Sequence, residues 1–223
     1  MPLHSIQPLS DCAALGLWQL TEEPSALLPL LPYAAEYETR QPPITHAQRR
    51  AEWLAGRVLA HTVLRTLPGA VDAPIGNDEN GRPYFQHQPE LALSLSHSGA
   101  WVAAVVSTRG RVGTDVECIR EKAQKLAPRF LAESERADAG DDAAKFSLYW
   151  SAKETLYKLH SRRGLVFREQ LLLDPFRLRK AGVLTGHLLV ENFRSQHQIH
   201  YQRLATDYVL TYCLETASVP LPL

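Results

Sequence analysis

Two stretches of helical periodicity, each accompanied by short apolar runs that alternate like strands, constrain this chain more than any other feature. The first covers residues 45–67. Trp53, Leu54, Val58, His61 and Leu64/Arg65 recur at helical spacing, Thr45 can cap the start, and Pro68–Gly69 stops it. The second covers 142–160 and ends near Gly164. Around the first lie an opening strand at 13–20, a proline-rich connection over 24–43 and a tight turn at Asn80-Gly81. Paired strands at 91–96 and 101–107 follow, joined by His97-Ser98-Gly99-Ala100 as a polar loop. A strand at 111–117 leads through a basic and apolar stretch into the second helix, after which 186–191 and 208–214 alternate as strands. This order predicts an α+β fold of two similar halves, residues 1–108 and 109–223, with a site in the cleft between them.

The chain has 223 residues, 45% hydrophobic and 22% charged, enough for one large core or two small ones. Lys+Arg and Asp+Glu both total 24, and this zero balance argues against a uniformly basic, nucleic-acid-binding surface. Cys12, Cys118 and Cys213 lie far apart, which suggests neither a disulfide framework nor a zinc knuckle and fits a reducing compartment. The first positive side chain is Arg40, so no basic signal region is expected, and the most apolar segment, 27–35, is broken by Pro29 and Pro32. The expectation is a soluble, cytoplasmic protein without membrane spans.

Residues two apart on a strand share a face, so Asp115 and Glu117 present two carboxylates side by side. Such a pair reads either as the wet face of an edge strand or as hard oxygen ligands for Mg²⁺. Glu154 falls inside an apolar stripe formed by Phe146, Trp150 and Tyr157 on the second helix. A buried acid there calls for a partner or a metal. Pairing with Lys158, one turn onward, is the other reading, and a competing stripe through Leu148, Ala152, Leu156 and Leu159 leaves the helix orientation open.

The basic candidates lie in the first half. Arg49, Arg50 and Arg57 sit on the first helix, with Arg50 and Arg57 sharing a face two turns apart. Their guanidinium forks suit phosphate oxygens, and a solvated helix face is the alternative. Gly81-Arg82-Pro83 offers a guanidinium in a turn where glycine permits close backbone approach. His97, between Ser96 and Ser98, can serve a phosphate or the loop backbone. His197-x-x-His200 lacks an accompanying acid or cysteine pattern and reads as a structural or surface pair on a strand.

In order, RAEWLAGR (50–57), GRP (81–83), LSHSG (95–99), VGTDVE (112–117) and WSAKETLYK (150–158) resemble the 4′-phosphopantetheinyl transferase family, surfactin-synthetase-activating (Sfp) type. The resemblance covers roughly 49–165. It implies a single chain, acting as a monomer, of two α+β halves in pseudo-twofold arrangement. Its implied reaction is Mg²⁺-dependent transfer of phosphopantetheine from coenzyme A to a serine of an apo acyl or peptidyl carrier protein. By this resemblance Asp115, Glu117 and Glu154 hold the metal. Lys158 and His97 hold diphosphate oxygens, Arg57 meets the 3′-phosphate, and Gly81, Arg82 and Pro83 border the adenine. Arg50 and Ser96 join the coenzyme A contacts, and Lys153 supplies phosphate contact or charge balance. Glu154 is the expected base, with Glu117 as runner-up, while Glu135 is read as structural. Thr114 departs from an often aliphatic position, and the amino-terminal segment has few lysines for coenzyme A. A non-catalytic coenzyme A or carrier-binding module and a metal-dependent nucleotide hydrolase are the alternative functions.

Overall fold

The computed structural model describes residues 2–40, 46–160, 162–190 and 193–215. The chain divides into two compact units, Met1–Gly110 and Arg111–Leu223.

The first unit runs β1 (Leu3–Ser10), β2 (Ala13–Gln19), α1 (Pro24–Leu27), a 3₁₀ turn (Leu28–Leu30), α2 (Ala34–Arg40), α3 (Ala47–Leu64), β3 (Ile75–Asn77), β4 (Pro83–Phe85), β5 (Ala92–Ser98) and β6 (Trp101–Ser107). Four strands form an antiparallel sheet in the order β1-β2-β6-β5, and β3 and β4 form a separate ribbon. Helix α3 buries Leu54, Ala55, Val58, Leu59 and Val63, and these join one core with Trp18, Leu93, Val102, Ala104 and Val106 from the sheet. Each such aliphatic side chain removed from water contributes ~1.5–3 kcal/mol. Thr45, the expected cap, lies outside the described residues; His46 occupies the N-cap position without a side-chain cap bond.

Two expectations change here. Strand β1 precedes the one expected to open the fold, and it pairs along β2. Its sequence, LHSIQPLS, carries no clean period-two alternation, so periodicity did not mark it. His97 lies not in a loop but within β5, opposite Val102, because the ladder continues to Ser98 and Trp101 and only Gly99 and Ala100 turn the chain. Gly99 has φ 57°, the left-handed conformation that a two-residue turn favours.

The second unit runs β7 (Val112–Cys118), α4 (Glu121–Phe130), α5 (Glu133–Ala139), α6 (Ala143–His160), α7 (Phe167–Gln170), β8 (Leu171–Leu173), β9 (Ala181–Val190), β10 (Phe193–Leu204) and β11 (Tyr208–Leu214). Its antiparallel sheet has the order β7-β11-β10-β9-β8. Helix α6 turns Leu148, Ala152, Leu156 and Leu159 fully inward, so the competing stripe is the core face and Glu154 sits at its margin. Both units are mixed α+β and place an 18-residue helix on an antiparallel sheet. No helix among the described residues is long and apolar enough to cross a membrane.

Candidate active site

In the second unit, the approach of α6 to β7 organises the acids. A Cβ built on Gly113 would lie 2.2 Å from the Thr155 carbonyl oxygen, so only glycine lets the helix rest this closely on the strand. A buried hydroxyl cluster fixes the register: Thr211 Oγ1 lies 2.6 Å from Thr155 Oγ1 and 2.9 Å from Ser151 Oγ. Thr114, the departure from an aliphatic position, donates to the Thr211 carbonyl at 2.9 Å, which satisfies its hydroxyl inside the sheet.

The strand then holds Asp115 and Glu117 on its helix side. Asp115 is 4% exposed and receives Lys158 Nζ at 2.8 Å, while the same ammonium donates to the Thr114 carbonyl at 3.1 Å. Glu117 accepts the Trp150 indole N–H at 3.0 Å. Trp150 is itself packed edge-on against Phe130 of α4 and stacked on Phe167 of α7. Glu154 is surrounded by the fields of these groups. Burial pushes its carboxyl up to about 7; Lys158 opposes that shift, and Asp115 and Glu117 add to it. The helical Glu154–Lys158 bridge is therefore not where the lysine's short contact goes: Lys158 reaches across to the strand acid instead.

Lys153 is corrected in part. Its side chain is 0% exposed, with Nζ 2.6 Å from Glu135 and donating to the carbonyls of Phe130 (2.9 Å) and Phe167 (3.1 Å). Three acceptors use up three N–H bonds, so this ammonium has none left for a phosphate. The charge-balance role is the one this geometry supports. Glu135 also accepts the backbone N–H groups of Leu173 and Ala132, which makes the Lys153–Glu135 pair a joint between α5, α6 and β8.

In the first unit, a pocket of about 530 Å³ is lined by residues that include Arg49, Glu52, Trp53 and Arg57 of α3, Asn77 of β3 and Ser96 and His97 of β5; Gly81 and Pro83 also face it. Arg57 is its most unusual member. It is 4% exposed, its guanidinium carbon lies 3.5 Å from the centre of the Trp53 ring, and it donates to the Trp53 carbonyl (3.2 Å) and Asn77 Oδ1 (3.0 Å). Both acceptors are neutral, and Nε is buried without a hydrogen-bond partner among the described residues. Burial lowers the guanidinium to about 10 against a small opposing effect from Tyr37. No carboxylate among the described residues lies at ion-pair distance, so this buried cation keeps the capacity to meet an anion.

The rest of the pocket supports that guanidinium. Asn77 also donates to the Gly81 carbonyl at 2.8 Å. Asp78 closes the turn by accepting the N–H groups of Asn80 and Arg82, both at 2.8 Å. Gly81 takes φ 84°, a conformation that costs glycine little. His97 is oriented by Glu52, whose Oε2 lies 3.1 Å from Nδ1. Arg50 and Arg82 are not among the lining residues, whereas Arg49 is. Offsets of zero, four and seven put Arg49, Trp53 and Gly56 on one face, and Arg50 lies about 100° round the helix. Arg57 starts from the Arg50 side, but its guanidinium folds back over Trp53. Sequence reading missed Asn77 and Glu52. Asn77 could have been noticed in the polar N-D-x-N-G-R turn, whereas Glu52 gave no signal, since its role exists only once α3 lies beside β5.

Comparison with known proteins follows the same division. Residues 111–213 match the 4′-phosphopantetheinyl transferase superfamily, and residues 40–107 match the 4′-phosphopantetheinyl transferase N-terminal domain. The 4′-phosphopantetheinyl transferase AcpT of Salmonella typhi is 37% identical over 117 residues, 49% of this chain and 58% of that protein. AcpT of Escherichia coli (strain K12) is 34% identical over 117 residues, 49% of this chain and 57% of that protein. A 4′-phosphopantetheinyl transferase of Bacillus subtilis is 29% identical over 153 residues, 66% of this chain and 65% of that protein. The matched segment thus spans less than two thirds of each of these relatives. Each half matches the part of the family that its own motifs suggest, and the chain belongs to the 4′-phosphopantetheinyl transferase family.

Proposed function

We propose that this chain is an Sfp-type 4′-phosphopantetheinyl transferase acting as a monomer in the cytoplasm. It transfers the 4′-phosphopantetheine arm of coenzyme A to a serine of an apo acyl or peptidyl carrier protein. The observation that carries the reading is Arg57: a buried guanidinium held by neutral groups in a pocket that also contains His97, Ser96 and Gly81. The 3′-phosphate of coenzyme A is the anion that fits it. Arg49, on the same pocket face, adds a second positive charge.

The acids of the second unit fit a hard divalent cation. Asp115, Glu117 and Glu154 offer carboxylate oxygens, and burial, with Asp115 and Glu117 adding to it, raises Glu154 to about 7, which makes its carboxylate a better proton acceptor near neutrality. Among the described residues no three His, Cys, Asp or Glu side chains are grouped so as to hold a metal ion. Mg²⁺ would therefore be held by one or two of these carboxylates, with water and phosphate oxygens in its remaining positions. When bound, Mg²⁺ supplies charge neutralisation on the diphosphate. Lys158 adds a positive charge beside Asp115. The serine hydroxyl forms the new O–P bond, the bond to adenosine 3′,5′-bisphosphate breaks, and Glu154 takes the serine proton. Glu117, tied to the Trp150 indole, is the more constrained acid and the weaker candidate for that base.

The test is magnesium-dependent labelling of purified apo-carrier proteins with a fluorescent coenzyme A analogue. The Asp115→Ala/Glu117→Ala variant is expected to lose labelling while remaining folded by circular dichroism. Undiminished labelling by the folded variant would sink the acidic site. Coenzyme A binding without transfer to any carrier would convert the reading to a binding module, and free phosphopantetheine by mass spectrometry to a hydrolase.

A further inference from the structure

Beneath the Arg57 pocket lies a buried polar chain that none of the roles above uses. Tyr37 of α2 is 2% exposed, and its hydroxyl lies 2.8 Å from His61 Nε2 on α3. The same hydroxyl accepts the Ile75 backbone N–H at 2.7 Å. On its other side the His61 ring meets Asp72 through Nδ1, and Asp72 also receives Arg65 at 3.2 Å. The carboxylate fixes the proton on Nδ1, which leaves Nε2 as acceptor for the tyrosine O–H. Every bond then points the same way: Ile75 N–H to Tyr37, Tyr37 O–H to His61, His61 N–H to Asp72. A fully satisfied buried chain of this kind holds its members in one arrangement.

Two of its members, Tyr37 and Ile75, connect to both walls of the guanidinium cradle. The Tyr37 ring packs edge-on against Trp53, with centroids 5.9 Å apart, and Trp53 is the ring on which Arg57 lies. Ile75 opens β3, and β3 ends at Asn77, the side chain that holds Arg57 from the other direction. Tyr37 thus fixes the stacking wall by its ring and the hydrogen-bonding wall by its oxygen.

We propose that Tyr37, His61 and Asp72 are positioning residues that set the Arg57 guanidinium for a 3′-phosphate and thereby give the pocket its preference for a 3′-phosphorylated adenosine nucleotide. The inference rests on the assignment of Arg57 above. Losing the hydroxyl leaves Ile75 N–H and His61 without their partner, and the cradle loosens without any loss of charge.

The experiment is calorimetric titration of the full chain with adenosine 3′,5′-bisphosphate and, separately, adenosine 5′-monophosphate. Tyr37→Phe keeps the ring and is expected to weaken bisphosphate binding by about five- to tenfold, the scale of one buried hydrogen bond. Binding of the monophosphate stays within about twofold, because it does not use Arg57. His61→Gln reads the same ratio should Tyr37→Phe fold poorly. An equal loss of both nucleotides, or an unchanged ratio in both variants while Arg57→Ala abolishes the preference, overturns the positioning role. An unchanged ratio in Arg57→Ala overturns the pocket assignment itself, and the proposal with it.

Discussion

Each long helix buries one cation near its middle, and the two are held in opposite ways. Lys153 on α6 meets Glu135 at 2.6 Å and two carbonyls, so its charge is matched inside the protein. Among the described residues, Arg57 on α3 meets a carbonyl, an amide oxygen and the faces of aromatic rings. A matched buried charge is a structural joint. One left with neutral partners keeps the capacity to meet an anion from outside. Burial alone therefore does not separate function from architecture; the charge of the partners does.

The largest effect should come from breaking the matched pair. Lys153→Met leaves Glu135 buried without its cation and is expected to lower unfolding free energy by ~3–5 kcal/mol in urea titrations. A loss below ~1 kcal/mol would show that the joint is not a joint. Replacing Glu135 as well restores only part of the loss, since the backbone donors of Leu173 and Ala132 also depend on it.

The glycines beneath the two helices sharpen the contrast next. A Cβ on Gly113 would lie 2.2 Å from the Thr155 carbonyl oxygen, whereas one on Gly16 would meet Val63 and Leu59 side-chain atoms at 2.4 and 2.8 Å. Gly113→Ala must push helix from strand and is expected to cost ~2–3 kcal/mol, more than Gly16→Ala, where side chains can turn aside. Because β7 carries Asp115 and Glu117, carrier labelling by Gly113→Ala should fall further than its stability predicts. Labelling that merely tracks the folded fraction would separate the glycine from the site.

Arg57→Lys tests the other half of the comparison. No carboxylate is orphaned, so stability should change by less than ~1 kcal/mol, while adenosine 3′,5′-bisphosphate binding weakens by about ten- to fiftyfold with loss of the planar fork. A large stability loss with unchanged binding would make Arg57 a second Lys153.

The last effect is confined to low pH and concerns acid tolerance. His160, at the end of α6, lies 3.0 Å from His197, which also contacts Ser195 at 2.7 Å. Burial, then the neighbouring His197 and Arg111, hold His160 down from 6.5 to about 4, with Glu215 opposing. The unfolded chain therefore binds the extra proton first. The stability this contributes is complete above about 6.5 and is lost as pH falls towards about 4, by at most ~1.4 kcal/mol per pH unit. Chemical denaturation across that window should show His160→Asn with a flatter profile than the parent chain. His61, also held down by burial, has the Asp72 carboxylate opposing the shift and should contribute less.

The two helices were legible because eighteen residues of apolar periodicity outweigh local ambiguity. The D-x-E pair was legible because a strand's period places both acids on one side. For Lys153 the sequence left phosphate contact and charge balance both open, because its K-E neighbourhood says nothing of Glu135, eighteen positions away and brought to it only by packing. His97 was misread as a loop residue because the hairpin turn needs only two residues, so the ladder runs past it. Asn77 and Glu52 acquired meaning only when β3 and β5 came to lie beside α3.

What the sequence determined by itself was the set of chemical groups: helices with their periods, three acids, a glycine-bearing turn and the cations. Periodicity and residue type are local properties, and they survive without knowledge of contacts. What only the tertiary structure decided was how each charge is answered. Lys158 reaches Asp115 across from helix to strand, Lys153 is closed off by Glu135, and Arg57 is left against neutral groups. Electrostatic pairing depends on distances of a few ångströms between residues remote in sequence, and folding sets those distances.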